Sequence, residues 1–165
     1  MFFSIRFSNT RTLFVSSLLL TASLVSAQPA AVKVEGAWAR ATVQGQKGTG
    51  AFMNITAAQG TRLVGVTSPV AGVAEVHEMK MDGDVMKMRA IPGLDLPAGK
   101  TVQLKPGSYH LMLMDLKRPL LKDSTVPVTL RFKNAAGIDS QLELLVPVAT
   151  TAPGPKTEMQ HDHKH

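Results

Sequence analysis

The sequence predicts an all-β fold, an antiparallel β-sandwich, on three observations. Short runs rich in Val, Leu, Met and Thr recur between residues 32 and 148, with Gly, Pro and Asp between them. Several runs alternate apolar and polar residues with period two, as Thr129, Leu130, Arg131 and Phe132 do, which suits a strand with one buried face. Within that region no stretch of twelve or more residues keeps a helical period free of Gly or Pro. Eight or nine short strands with turn residues at such intervals make a sandwich.

In chain order, the first run covers 32–40 and gives way to Gly45 and Gly48. The second, 50–56, stops before Gly60, and the third, 62–67, stops at Ser68-Pro69. The fourth, 74–81, starts after Gly72 and reaches Asp82-Gly83, from which the fifth, 85–91, returns as far as Pro92-Gly93. The sixth, 101–104, lies between Gly99 and Pro106-Gly107. The seventh spans 109–116, the eighth 125–133 and the ninth 141–146, the last two separated by Gly137 and Asp139. There is no internal repeat.

Of the 165 residues, the first 27 form a leader. Arg6 and Arg11 precede an apolar stretch at 13–25, and the small residues Val25-Ser26-Ala27 follow, the three parts of a cleaved secretory signal peptide. Thirteen helical residues at about 1.5 Å each reach about 20 Å, short of the roughly 30 Å hydrocarbon core of a bilayer. A bacterial signal without a lipidation cysteine points to the periplasm, and no membrane insertion is expected after cleavage. Residues 28–148 then make one domain, large enough to fold on a single core. Residues 149–156 are Thr, Ala, Pro and Gly with one Lys, a flexible linker, and 149–165 as a whole is linker plus tail.

Composition removes several function classes. Without cysteine there is no thiolate nucleophile, disulfide framework, zinc-thiolate site or blue-copper centre. Once Arg6 and Arg11 leave with the leader, 16 basic and 12 acidic side chains remain, a formal charge of +4. These charges are scattered singly, and one Trp and one Tyr offer little for base stacking, so no nucleic-acid partner is expected.

What remains is histidine and methionine. Outside the tail the only histidines are His77 and His110, and of eight methionines after the leader six fall at Met79, Met81, Met86, Met88, Met112 and Met114. Asp82-Gly83 between two alternating runs is a strong hairpin signal. With those two residues as the loop, Met79 faces Met86 and His77 faces Met88, side by side in an antiparallel ladder. On the seventh run His110 and Met112 share one face while Tyr109, Leu111 and Leu113 take the other. Closing this strand on the hairpin presents two imidazoles and two thioethers to one point. A neutral, sulfur-containing set suits Cu(I), whereas Zn(II) asks for thiolate or carboxylate and Mg(II) or Ca(II) for oxygen. Met79, Met86 and Met114 are expected to pack around the site. A second candidate is the tail, where Met159, His161, His163 and His165 crowd the last seven residues, a metal-binding composition suited to Cu(II).

The spacing His77, ten residues, Met88, twenty-one residues, His110, one residue, Met112 resembles the signature of the periplasmic copper chaperones called PCu(A)C. The surrounding stretches agree: His77-Glu78-Met79, residues 82–89, residues 104–114 and Leu116-Lys117-Arg118-Pro119-Leu120. The resemblance runs from about Val34 to Val148. It implies a cupredoxin-like sandwich holding one Cu(I) through two His and two Met, which carry over onto His77, Met88, His110 and Met112. It implies delivery of copper to the Cu-A centre on the copper-bearing subunit of cytochrome c oxidase, beside a Sco-type thiol chaperone. Some relatives have a His- and Met-rich C-terminal extension that binds Cu(II), which the tail matches by composition.

The expected protein is therefore a monomeric metallochaperone and not an enzyme: no separate substrate-activating constellation is present, and four protein ligands leave no open position on Cu(I). A copper buffer serving homeostasis or resistance, with no dedicated oxidase partner, is the alternative.

Overall fold

Alternation between core and solvent organises the chain. In β9 (Thr125–Asn134), Val126, Val128, Leu130 and Phe132 are buried and Thr125, Pro127, Arg131 and Lys133 are exposed, the period-two pattern of a strand with one wet face. The same logic runs through a computed structural model that describes residues 32–154. Ten strands make it all-β, as expected: β1 (Val32–Arg40), β2 (Gly48–Ala57), β3 (Thr61–Thr67), β4 (Val73–Asp82), β5 (Val85–Ala90), β6 (Leu94–Leu96), β7 (Thr101–Leu104), β8 (His110–Met114), β9 and β10 (Asp139–Ala149). The expected leader, 1–27, and the four tail residues Met159, His161, His163 and His165 lie outside the described residues.

The strands hydrogen-bond in the order β5-β4-β8-β2-β1-β10-β9-β3-β6. Strand β7 pairs with 53–56 of β2 and β8 with 48–51, so the two short strands lie end to end along one side of β2. Among the pairings between these ten strands, all but one are antiparallel. The exception corrects the purely antiparallel expectation: β1 and β10 run parallel where Ala39 meets Val148 and Arg40 meets Ala149, and this short junction joins the two halves of a mixed sheet. Ile55, Leu111 and Leu113 from one half share a single core with Leu63, Leu130 and Phe132 from the other.

Two boundaries differ from the sequence reading for local reasons. Strand β6 is an additional element, with Leu94 and Leu96 buried on either side of exposed Asp95. Three residues between Pro92-Gly93 and Pro97 are too few to show a period. The run at 109–116 shortens to β8 because Asp115 takes φ +51° and turns the chain. Gly72 donates its N–H to the carbonyls of Met114 and Asp115 there. A Cβ on Gly72 would stand 2.9 Å from that of Asp115, so the approach requires glycine.

Phe132 is 1% exposed and the largest of the fully buried side chains. Phe132→Ala is expected to cost about 3–5 kcal/mol in unfolding free energy, read from a lowered denaturant midpoint. Lys133→Ala, one residue on and facing solvent, should change stability by no more than about 0.5 kcal/mol.

Candidate metal-binding site

β4 and β8 divide their side chains between two environments. Val76, Leu111 and Leu113 enter the core, so alternation turns Glu75, His77, Met79 and Met81 of β4, with His110, Met112 and Met114 of β8, to the opposite face. Register aligns them: His77 pairs directly with His110, Glu75 with Met112, and on the other side of β8 Met112 pairs with Gly50 and Met114 with Gly48. The two glycines leave that face open over β2. A Cβ on Gly50 would lie 2.8 Å from the Phe52 ring, so the missing side chain lets that ring lie flat along its own strand. Phe52 stacks on Trp38 at 4.8 Å between centroids and stands 6.4 Å from the His110 ring, making an apolar wall.

The hairpin register corrects one expectation. The two loop residues are Gly83 and Asp84, with Gly83 at φ +62°, because a tight hairpin turn with a positive φ at its first central position takes glycine there. Asp82 therefore pairs with Val85, Met81 with Met86, Met79 with Met88 and His77 with Ala90. Met88 faces Met79 and not His77. Since a slip of one residue would turn every side chain over and a slip of two does not, Met88 keeps its expected face. From there its sulfur reaches the other histidine, with Sδ 3.1 Å from His110 Nε2.

Hydrogen bonds assign the nitrogens. His110 Nδ1 lies 2.9 Å from the Ser108 carbonyl, which can only accept, so in the neutral ring Nδ1 carries the proton and Nε2 keeps its lone pair. A tight turn presents that carbonyl: Ser108 N–H bonds to the Lys105 carbonyl at 3.1 Å, and Gly107 sits at φ +79°. Pro at the second position and Gly at the third are the residues a type II turn needs. The same carbonyl accepts the Met79 N–H at 3.3 Å, tying the turn to the hairpin. His77 Nε2 lies 2.9 Å from a Glu75 carboxylate oxygen, again only an acceptor when ionised, which leaves Nδ1 with the lone pair. That atom is buried without a hydrogen-bond partner.

Each imidazole thus has one nitrogen held by a carboxylate or a carbonyl, while the other stands against Met88 Sδ in His110 and is without a partner in His77, the outer-shell arrangement in which one nitrogen is anchored and the other kept for a ligand. Both rings are buried, at 8% and 6% exposure, with centroids 5.9 Å apart. A cleft of about 240 Å³ opens beside them, lined by Met79, Met88, His110 and Met112, with Phe52 and Arg40 behind. Among the described residues no group of three or more His, Asp or Glu side chains is placed to hold an ion, so a metal here would draw on sulfur as well.

Of the four core residues read from the sequence, Met88, His110 and Met112 share the cleft, and His77 lies alongside through its ring contact with His110. Met79, expected only to pack, lines the cleft opposite Met88. Glu75 and the Ser108 carbonyl are functional groups that the sequence reading did not single out. The signals for them are local: Glu75 is two residues from His77 on the same face, and Pro106-Gly107 is a turn signature.

Among the described residues no helix is long and apolar enough to cross a membrane. The copper-bound PCuAC domain from PmoF2 superposes with a TM-score of 0.58 at 22% identity, over 75% of this chain and 97% of that one. The solution structure of CuI-DR1885 from Deinococcus radiodurans does so with a TM-score of 0.55 at 29% identity, over 76% and 82%. In sequence, the chain is 38% identical over 108 residues to "Putative lipoprotein Lxx21020" of Leifsonia xyli subsp. xyli, a match spanning 64% of each protein. The model of the family described as "Putative lipoprotein LpqE-like" matches residues 32–148, which is most of the chain and every strand of the site. The chain belongs to the LpqE-like family.

Proposed function

We propose that this protein binds copper outside the cytoplasm as a metallochaperone, holding Cu(I) through His77, Met88, His110 and Met112. The observation that carries this reading is the 3.1 Å approach of Met88 Sδ to His110 Nε2, the nitrogen that keeps its lone pair when Nδ1 donates to the Ser108 carbonyl. The residues fit the cargo: two neutral imidazoles and thioether sulfurs are soft donors, and the buried, unpartnered Nδ1 of His77 has capacity for one more bond. The 29% identical neighbour is named for its Cu(I) form, which supports the oxidation state.

The ligands suit transfer better than catalysis. Thioethers carry no proton at any working pH, so an acceptor's thiolates can displace them one at a time without proton release from the donor side. We assign the acceptor as the copper-bearing subunit of cytochrome c oxidase, at its Cu-A centre, with a Sco-type thiol chaperone as the companion. The leader expected at residues 1–27 and a relative named as a lipoprotein support an envelope location. Lipid attachment is not carried over, because these 165 residues hold no cysteine to receive it. The tail residues Met159, His161, His163 and His165 are proposed to capture Cu(II), a divalent ion that imidazoles bind well.

In competition titration against a Cu(I) chelator, Met88→Ala and Met112→Ala should each weaken affinity by about 100-fold or more while leaving the fold intact; unchanged affinity in both would reject the ligand set. In the same titration Glu75→Gln should cost about tenfold, the usual range for an outer-shell partner. Truncation after Lys156 should reduce Cu(II) stoichiometry by one and leave Cu(I) binding unchanged, checked by spectroscopic titration of each oxidation state. Cu(I)-loaded protein mixed with the apo copper-bearing oxidase subunit should lose its metal to that subunit. Retention of the metal would favour a copper buffer, the reading in which core and tail both store.

A further inference from the structure

The β4–β5 hairpin carries more sulfur than the copper reading uses. Its sequence holds Met-Lys-Met twice, at Met79-Lys80-Met81 and Met86-Lys87-Met88, on either side of the turn. The register folds the two copies onto each other, so that Met81 meets Met86 and Met79 meets Met88. Both rungs are of the close kind. A two-residue loop is closed by a hydrogen-bonded pair, here Asp82 with Val85, and pairs alternate from there. Met81 with Met86 and Met79 with Met88 are therefore non-hydrogen-bonded pairs, with Cα atoms about 4.5 Å apart and side chains directed at each other.

These methionines do not act as core filler. Met81, Met86 and Met88 are 55%, 49% and 50% exposed, and all six residues of β5 are exposed. An exposed edge strand ordinarily carries β-branched or charged residues. The charged residues nearest the turn are on the hairpin's other face, where Lys87 bonds Asp82 and Arg89 bonds Glu78; Glu75, on the methionine face, lies farther along β4 and bonds His77. No carboxylate or ammonium alternates onto the methionine face between Met79 and Met81 or between Met86 and Met88.

We propose that Met81 and Met86 form a second, outer site for a soft monovalent cation, Cu(I) or Ag(I), one rung out from Met79 and Met88. Two facing thioethers meet the two-coordinate preference of such an ion, and their neutrality excludes hard divalent cations. Binding forms two metal–sulfur bonds in place of solvent or chelator ligands, with no change of oxidation state and no proton moved. The outer site needs only its own sulfurs and so stands apart from the assignment of the inner ligands.

The test is an Ag(I) titration of the chain from Gln28 to its C-terminus, with methionine methyl groups labelled with carbon-13 and followed residue by residue. The first equivalent should shift Met88 and Met112 and the second should shift Met81 and Met86. In a Met81→Leu, Met86→Leu double variant, which conserves volume on an exposed face, the second event should vanish while the first keeps its affinity within about twofold. Unmoved Met81 and Met86 methyls at two equivalents, or a second event that survives in the variant, overturns the outer site. Shifts of Met81 and Met86 with Met88 and Met112 silent would support the outer site and reject the proposed inner ligands instead.

Discussion

The direct pairing of His77 with His110 across β4 and β8 is the constraint on which the rest of the site depends. Once these residues are opposite, alternation sends Val76, Leu111 and Leu113 to the core and every nitrogen and sulfur of interest to the other face. The pairing also sets β8 between β4 and β2, so that Gly48 and Gly50 lie beneath Met114 and Met112. A Cβ at Gly50 would run into the Phe52 ring, and one at Gly48 would reach the Met114 and Met112 side chains at 3.8 and 3.9 Å. The hairpin then adds β5, and with it Met88, to the same surface.

Two anchors convert that alignment into chemistry. The Ser108 carbonyl fixes one ring and the Glu75 carboxylate the other, and each does so through a local sequence device: a Pro-Gly turn in one case, a two-residue step along a strand in the other. A carbonyl is a fixed anchor, because its position follows from the Lys105–Ser108 turn. A carboxylate on a half-exposed side chain is a movable one. The two histidines therefore differ in how firmly they are held, although both are buried.

The strands and the division of faces were legible in the sequence, because period-two alternation is a local property that each run carries by itself. The shared face of His110 and Met112 was legible for the same reason: they are two residues apart on one strand. What escaped the sequence depends on contacts that no single run encodes. The loop moved from Asp82-Gly83 to Gly83-Asp84, since both dipeptides contain one glycine and only the turn's φ pattern decides which position it takes. That shift gave Met88 to His110 and brought Met79 into the cleft. The parallel junction of β1 with β10 joins residues more than a hundred positions apart and leaves no local trace, and β6 is too short to show a period.

Sulfur and nitrogen are distributed unequally in depth, and the difference bears on how cargo would be held and released. The imidazoles are buried and anchored by hydrogen bonds, whereas Met88 is half exposed on β5, the terminal strand of the sheet. Ordering an exposed, unbranched side chain costs conformational entropy that a buried ring has already lost. In the proposed set Met88 would thus be the more exchangeable ligand, because it lies on an exposed strand at the edge of the sheet. An edge strand in that position invites pairing with other chains, and here Lys87 and Arg89, each held by an acid across the hairpin, occupy the reverse face where they discourage it. The hairpin can leave its sulfurs uncovered because its charges, and not added bulk over the methionines, guard the edge.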